Sequence, residues 1–203
     1  MQLTEVQLDA IRELGNIGAA HAATTLSQML MCQINMSVPE VRVVDIGQIY
    51  DYIGDEYSAM VVFQLQGEIE PGGYIVLLVS RESALRLTNT MLGMSDTDRE
   101  FGEMDQSALL EIGNIMISAF LDGTAMLLGI VMLPSPPEMA IDMAHAGMES
   151  LLATMDADID EVILFRTELM DEEHMVNSDI LFLPDTRTLI DILRLLENVV
   201  GPM

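Results

Sequence analysis

The sequence predicts an α+β fold of two pseudo-symmetric helix-strand-hairpin-helix halves, residues 1–97 and 98–203, within a single domain. Six strands are expected in one sheet layer, or two abutting layers, covered by four long helices. Three observations predict this. A nine-residue segment returns 98 positions later. In each half two apolar runs flank a turn, and a capped amphipathic run follows them.

The repeated segment opens each half. Asp9-Ala10-Ile11-Arg12-Glu13-Leu14-Gly15-Asn16-Ile17 returns as Ser107-Ala108-Leu109-Leu110-Glu111-Ile112-Gly113-Asn114-Ile115, and the same shift of 98 carries Pro39 onto Pro137. Asp or Ser, Glu, Asn and Pro therefore recur in register over two long copies, unlike a solenoid with repeats of roughly 20 to 50 residues. Apolar residues at helical spacing make both segments helices.

The remaining elements follow in order. Pro39 is expected to end whatever helix precedes it and to introduce a strand over Val41–Ile46. Ala59–Gln66 and Tyr74–Ser80 form a hairpin about Glu70-Pro71-Gly72-Gly73. Ser80 or Ser83 caps a helix over Leu85–Leu92. The charged, turn-prone stretch Asp96–Gly102 joins the halves. After the second repeated helix, Pro137 precedes a strand over Met139–Met143. A second hairpin, Val162–Met170 and Val176–Leu183, turns through Asp171-Glu172-Glu173-His174, and Asp185 caps a last helix over Leu189–Leu196. The cluster Asp156, Asp158, Asp160 and Glu161 reads as a solvated turn.

Composition narrows the function. The 203 residues carry 33 acids against 8 basic residues, a formal net charge of −25, and every basic residue is an arginine. Nucleic acid is thereby a poor partner. An apolar fraction of 50% is too high for an acidic disordered chain. So much charge makes the compact state repel itself at low ionic strength and suits a halophilic cytoplasm. Cys32 is the single cysteine and reads as a small buried residue, so no intrachain disulfide forms. The N-terminus lacks a basic stretch followed by an apolar run, so a cytoplasmic location is expected. Ile112–Leu133 is long enough to span a bilayer, but Ser107, Glu111, Asn114, Ser118 and Asp122 recur every three or four residues along one stripe. A core helix with one exposed stripe is therefore expected, without membrane insertion.

On a helix of 100° per residue, Asp9, Glu13 and Asn16 fall within about 60° of one another. Ile11, Leu14, Ile17 and Ala22 occupy the opposite arc, and Leu109, Ile112, Ile115 and Phe120 do so in the second copy. Small residues, Ala20 and Ser118, lie one turn further along the polar stripe, so a partner surface could approach closely. A carboxylate can accept hydrogen bonds or pair with a cation, and a side-chain amide donates and accepts at once. Such an amide can hold a water in line with an electrophile, so that positioning supplies the catalysis. The patch has neither a histidine base nor a metal triad, so the electrophile and metal are expected from a partner protein. One Glu-x-x-Asn on a helix is usually a solvated face; two in register point to function. Gly15 and Gly113 read as close-packing positions. Among the histidines, His21 shares an arc with Leu14 and reads as a core residue, and His145 and His174 lack ligand spacing.

The doubled pattern resembles the CheC/CheX/FliY family of prokaryotic chemotaxis phosphatases. The Glu-Leu-Gly-Asn-Ile-Gly string, the two copies and the length are most similar to the CheC type. The resemblance covers residues 5–39 and 103–137 by motif and nearly the whole chain by element order. It implies a CheC-like fold and hydrolysis of the aspartyl phosphate on the response regulator CheY. Asn16 and Asn114 would position the attacking water, and Glu13 and Glu111 would contact the regulator's lysine. Asp9 and Ser107, at the first motif position, would orient or cap the patch. No cofactor of this chain's own is implied; Mg²⁺ would sit in the regulator. The receptor deamidase CheD is implied as a second partner. The competing expectation is a non-catalytic module of the motility switch that docks CheY or sequesters CheD.

Overall fold

The computed structural model describes residues 3–68, 72–155, 158–170 and 175–200. Helix α1 (Glu5–Leu30) begins at a capping box: the Thr4 hydroxyl accepts from the Gln7 amide at 3.2 Å, and the Gln7 side chain accepts from the Thr4 amide at 2.9 Å. It ends at Met31, whose φ of 54° closes the last turn. Strand β1 (Asn35–Asp45) then runs straight through Pro39. The expected break before Val41 is absent. β1 is an edge strand whose register with its neighbour slips between Ser37 and Glu40, so the missing proline N–H falls where the ladder is already interrupted.

A 3₁₀ turn (Ile46–Asp51), β2 (Tyr57–Gly67), β3 (Gly73–Ser80) and α2 (Arg81–Leu92) complete the first half. Ser80 supplies the α2 cap, accepting from the Ser83 amide at 3.2 Å. Helix α3 (Glu103–Leu128) opens the second half, followed by β4 (Met132–Pro134), β5 (Glu138–Met143), α4 (Ala144–Thr154), β6 (Glu161–Met170), β7 (Met175–Pro184) and α5 (Thr186–Val200). Here Pro137 does precede its strand, and Asp185 caps α5 by accepting from the Arg187 amide at 3.0 Å. Among the described residues the strands number seven rather than six, because β4 adds a three-residue pairing on β2. Helix α4 is a further addition; its first turn has no side-chain cap, which removes the sequence signal for a start. Glu70, Pro71, Asp156 and the turn Asp171–His174 lie outside the described residues.

The sheet is antiparallel in the order β1-β6-β7-β3-β2-β4, with β5 also on β2. The two halves exchange strands. β1 pairs with β6 of the second half, β5 pairs with β2 of the first, and β3 meets β7 at the centre with Leu77 opposite Ile180. Val41 opposite Phe165 and Met139 opposite Val61 are corresponding pairs, 41 and 139 being separated by the repeat shift of 98.

One sheet face, with Val61, Phe63, Leu77, Phe165 and Phe182, is buried under α1 and α3, which are flanked by α5 and α2. The other face, with Met60, Val62, Val76, Leu164 and Leu181, is covered by α4 and the 3₁₀ turn. Cys32 is half-buried against the main core rather than fully enclosed. The acidic stretch before β6 is tied down rather than merely solvated. Thr186 donates from its amide and hydroxyl to the Asp158 carbonyl at 2.9 and 2.8 Å, and its hydroxyl also reaches Asp160 at 3.0 Å.

Helix α3 meets the length and hydropathy of a membrane span, yet 61% of its most apolar window is buried in the protein. Its apolar arcs are spent on the sheet and on α1.

Candidate functional site

Helices α1 and α3 pack side by side and antiparallel. Leu26 and Leu30 near the end of α1 line one small void with Ile112, near the start of α3, whereas Ile11 and Leu14 line another with Thr124 and Leu128. Glycines allow the close approach. A Cβ on Gly18 would lie 2.6 Å from the Phe120 ring, and one on Gly123 would lie 3.1 Å from the Ile17 carbonyl and 3.0 Å from the His21 ring. His21 is thus packed against α3, half-buried rather than enclosed in the core. His145 instead stacks edge-on against Tyr50 near Asp55, and His174 lies outside the described residues.

The motif glycines set the depth of each helix on the sheet. A Cβ on Gly15 would come within 2.7 Å of the Phe165 ring, and one on Gly113 within 3.2 Å of Val61. Phe165 and Val61 occupy the corresponding sheet positions noted above. Each helix therefore rests on a strand of the opposite half, and its polar stripe is turned outward.

Asp9, Glu13 and Asn16 are all exposed on the α1 crest, and Ala20 beyond them is exposed too. Ser107 and Glu111 are exposed and Asn114 is half-buried on the α3 crest. The structure brings each triad together on its own helix but does not merge the two. Because the helices are antiparallel, the patches lie toward opposite ends of the pair. Among the described residues no hydrogen bond or ion pair engages Glu13, Asn16, Glu111 or Asn114, so their polar atoms are free to meet a partner. Asp9 differs: its carboxylate holds Arg12 at 2.6 Å, both side chains being well exposed.

Each crest is anchored at its start. Gln7 on α1 donates to Glu197 of α5 at 2.9 Å. At the corresponding place on α3, buried Asp105 accepts from Arg99 at 2.5 Å, from the Thr88 hydroxyl at 2.7 Å and from the Gly102 amide at 2.9 Å. Arg99 foremost, and then these hydrogen bonds against the cost of burial, holds the Asp105 carboxyl well below the usual carboxylate range. This clasp joins the linker, α2 and α3.

Both patches lie on helix crests. A concavity of about 750 Å³ lies elsewhere, lined by Glu56, Glu82, Arg86, Arg166 and Asp179, and it touches none of the six motif residues. An exposed helix crest does not enclose a small substrate, but it can enter a cleft on another protein. The motif residues were legible in the sequence. Arg12 carries one signal in the sequence, the contrast with Leu110 at the same place in the second copy.

The model of the CheC-like family matches residues 6–43 and 104–141, which carry nearly all of both repeated helices and most of strands β1 and β5. The Bacillus subtilis protein named CheY-P phosphatase CheC is 30% identical over 190 residues, covering 90% of each chain. CheC1 of Halobacterium salinarum is 27% identical over 189 residues, covering 92% of this chain and 94% of its own. Among solved structures, Thermotoga maritima FliY superposes with a TM-score of 0.81 at 23% identity, over 98% of this chain and 100% of that one, so the fold is shared. The doubled helix motif, its place in the sheet-crossing architecture and a relative aligned over nine-tenths of both chains lead to one assignment: this chain belongs to the CheC-like family.

Proposed function

We propose that the chain hydrolyses the aspartyl phosphate of a CheY-type response regulator, and that each helix crest is one site. The observation that carries this reading is the pair of unengaged Glu/Asn sets at matching positions of α1 and α3, exposed but for the half-buried Asn114. The name of the B. subtilis relative supplies the substrate class.

In this reading the crest enters the regulator's phosphorylated cleft. The side-chain amide of Asn16, or of Asn114, accepts from and donates to the attacking water and holds it in line with phosphorus. Glu13, or Glu111, pairs with the regulator's lysine and fixes the docking register. Water oxygen bonds to phosphorus, the bond from phosphorus to the aspartyl oxygen breaks, and a free carboxylate and inorganic phosphate leave. Mg²⁺ held by the regulator would neutralise phosphoryl charge. Ala20 and Ser118, being small, let the partner backbone close over the crest. CheD is a second proposed partner.

Decay of phosphorylated regulator, followed by phosphate release, tests the reading. Asn16→Ala and Asn114→Ala each remove one water-orienting group, a loss of about 10² to 10³ in rate at that site. Each single variant then retains the other site's activity, and the double variant falls to the regulator's spontaneous decay. A module that only docks the regulator would slow that decay or leave it unchanged in every variant.

A further inference from the structure

We infer that Arg12 is a further catalytic residue of the first site, its guanidinium aimed by Asp9 to contact the phosphoryl oxygens of the docked partner; this rests on the proposed phosphatase function. Arg12 precedes Asn16 by four residues, so the two side chains are neighbours on successive turns of the exposed crest. It is the only arginine on either site-bearing helix. Its partner Asp9 holds it at 2.6 Å, with side-chain exposures of 56% for Arg12 and 72% for Asp9. An exposed pair three residues apart adds well under about 1 kcal/mol to stability, so packing and fold give little reason for it.

The two copies differ in a correlated way. Where the first has Asp9 and Arg12, the second has Ser107 and Leu110, and Leu110 is half-buried against the core. The acid at the first motif position goes with the cation at the fourth, and both are missing together. A second difference has the same sense. Gly123 packs on Ile17, which sets exposed Asp122 beside the first site; the residue 98 positions earlier, beside the second, is uncharged Thr24. The first site thus faces an incoming phosphoryl dianion with Asp9, Glu13 and Asp122 around it, and Arg12 is the group that can offset them. A planar guanidinium offers two parallel N–H donors to phosphoryl oxygens, which a leucine cannot. Asp9, which does not reach the phosphoryl group, is a positioning residue acting through Arg12.

The test uses the full chain in the Asn114→Ala background, so that only the first site turns over. Arg12→Leu is expected to lower kcat about tenfold with KM for the phosphorylated regulator within about twofold, and Arg12→Lys to recover part of the loss by restoring charge without the fork. Asp9→Asn should lower kcat when Arg12 is present and add nothing to Arg12→Leu, a non-additivity that a merely structural Asp9 would not produce. Arg194→Leu, which removes an exposed cation from α5, controls for net charge and should leave kcat unchanged. Thermal melts establish that each variant is folded. A kcat for Arg12→Leu within twofold of its parent, or a loss confined to KM, overturns the inference. Adding Asn16→Ala separates the two levels: if that variant stays active the phosphatase reading itself fails, and if it is inactive while Arg12→Leu is not, only the role of Arg12 fails.

Discussion

Gly15 and Gly113 hold the same place in the motif but not the same space. A methyl at residue 15 would meet the buried Phe165 ring at 2.7 Å, while at residue 113 it would meet Val61 at 3.2 Å. Helix propensity favours alanine over glycine by about 1 kcal/mol, and overpacking costs about 1 to 3 kcal/mol. Gly15→Ala is therefore expected to lower the unfolding free energy by about 1 kcal/mol or more, and Gly113→Ala to stay within about 1 kcal/mol of wild type, as read by denaturant unfolding. Asp105 gives a prediction in pH. Its carboxyl is depressed in the fold, so the clasp with Arg99 contributes stability that is present above the ordinary carboxylate value of about 3.9 and is lost as the pH falls. Asp105→Asn should unfold more easily than wild type at pH 5 to 7, with the two converging in strong acid; a constant difference at all pH values would contradict this. The glycines and the Glu/Asn pairs were legible because they repeat. Asp105 and Arg12 were not, because each has a different residue at the matching place in the other copy, Gln7 and Leu110 respectively.

At the scale of elements, both hairpins and the helices that follow them could be read from alternation and caps. The first part of β1 could not: a proline inside a strand is a sound reason to end the strand unless it lies on an edge at a bulge, and edge position is a property of the whole sheet. Helix α4 lacked a cap, β4 is three residues long, and neither length nor pattern marks such elements. Strand exchange was likewise beyond a reading of each half in turn. It has a direct consequence. Residues 1–97 alone would leave β1 without β6 and β3 without β7, and 98–203 alone would leave β5 without β2. Either half expressed by itself should show no cooperative unfolding transition, and mixing both should restore one. A half that melts cooperatively alone would contradict the exchanged architecture.

For the molecule as a whole, the charge of −25 bears on encounter more than on chemistry. Raising salt from about 0.05 M to 1 M shortens the screening length from more than 10 Å to about 3 Å, which should raise the melting temperature by relieving self-repulsion. Against an acidic regulator, the same screening should raise the association rate, the reverse of ordinary steering. The contribution of the two crests and that of the charge can be separated in one assay. Phosphorylated CheY is mixed at molar salt with wild type and with the Asn16→Ala, Asn114→Ala double variant, and phosphate release is followed. Acceleration by the wild type, with the double variant reduced to spontaneous decay, is the expected result. A double variant that keeps half or more of the wild-type acceleration would contradict the two-crest account.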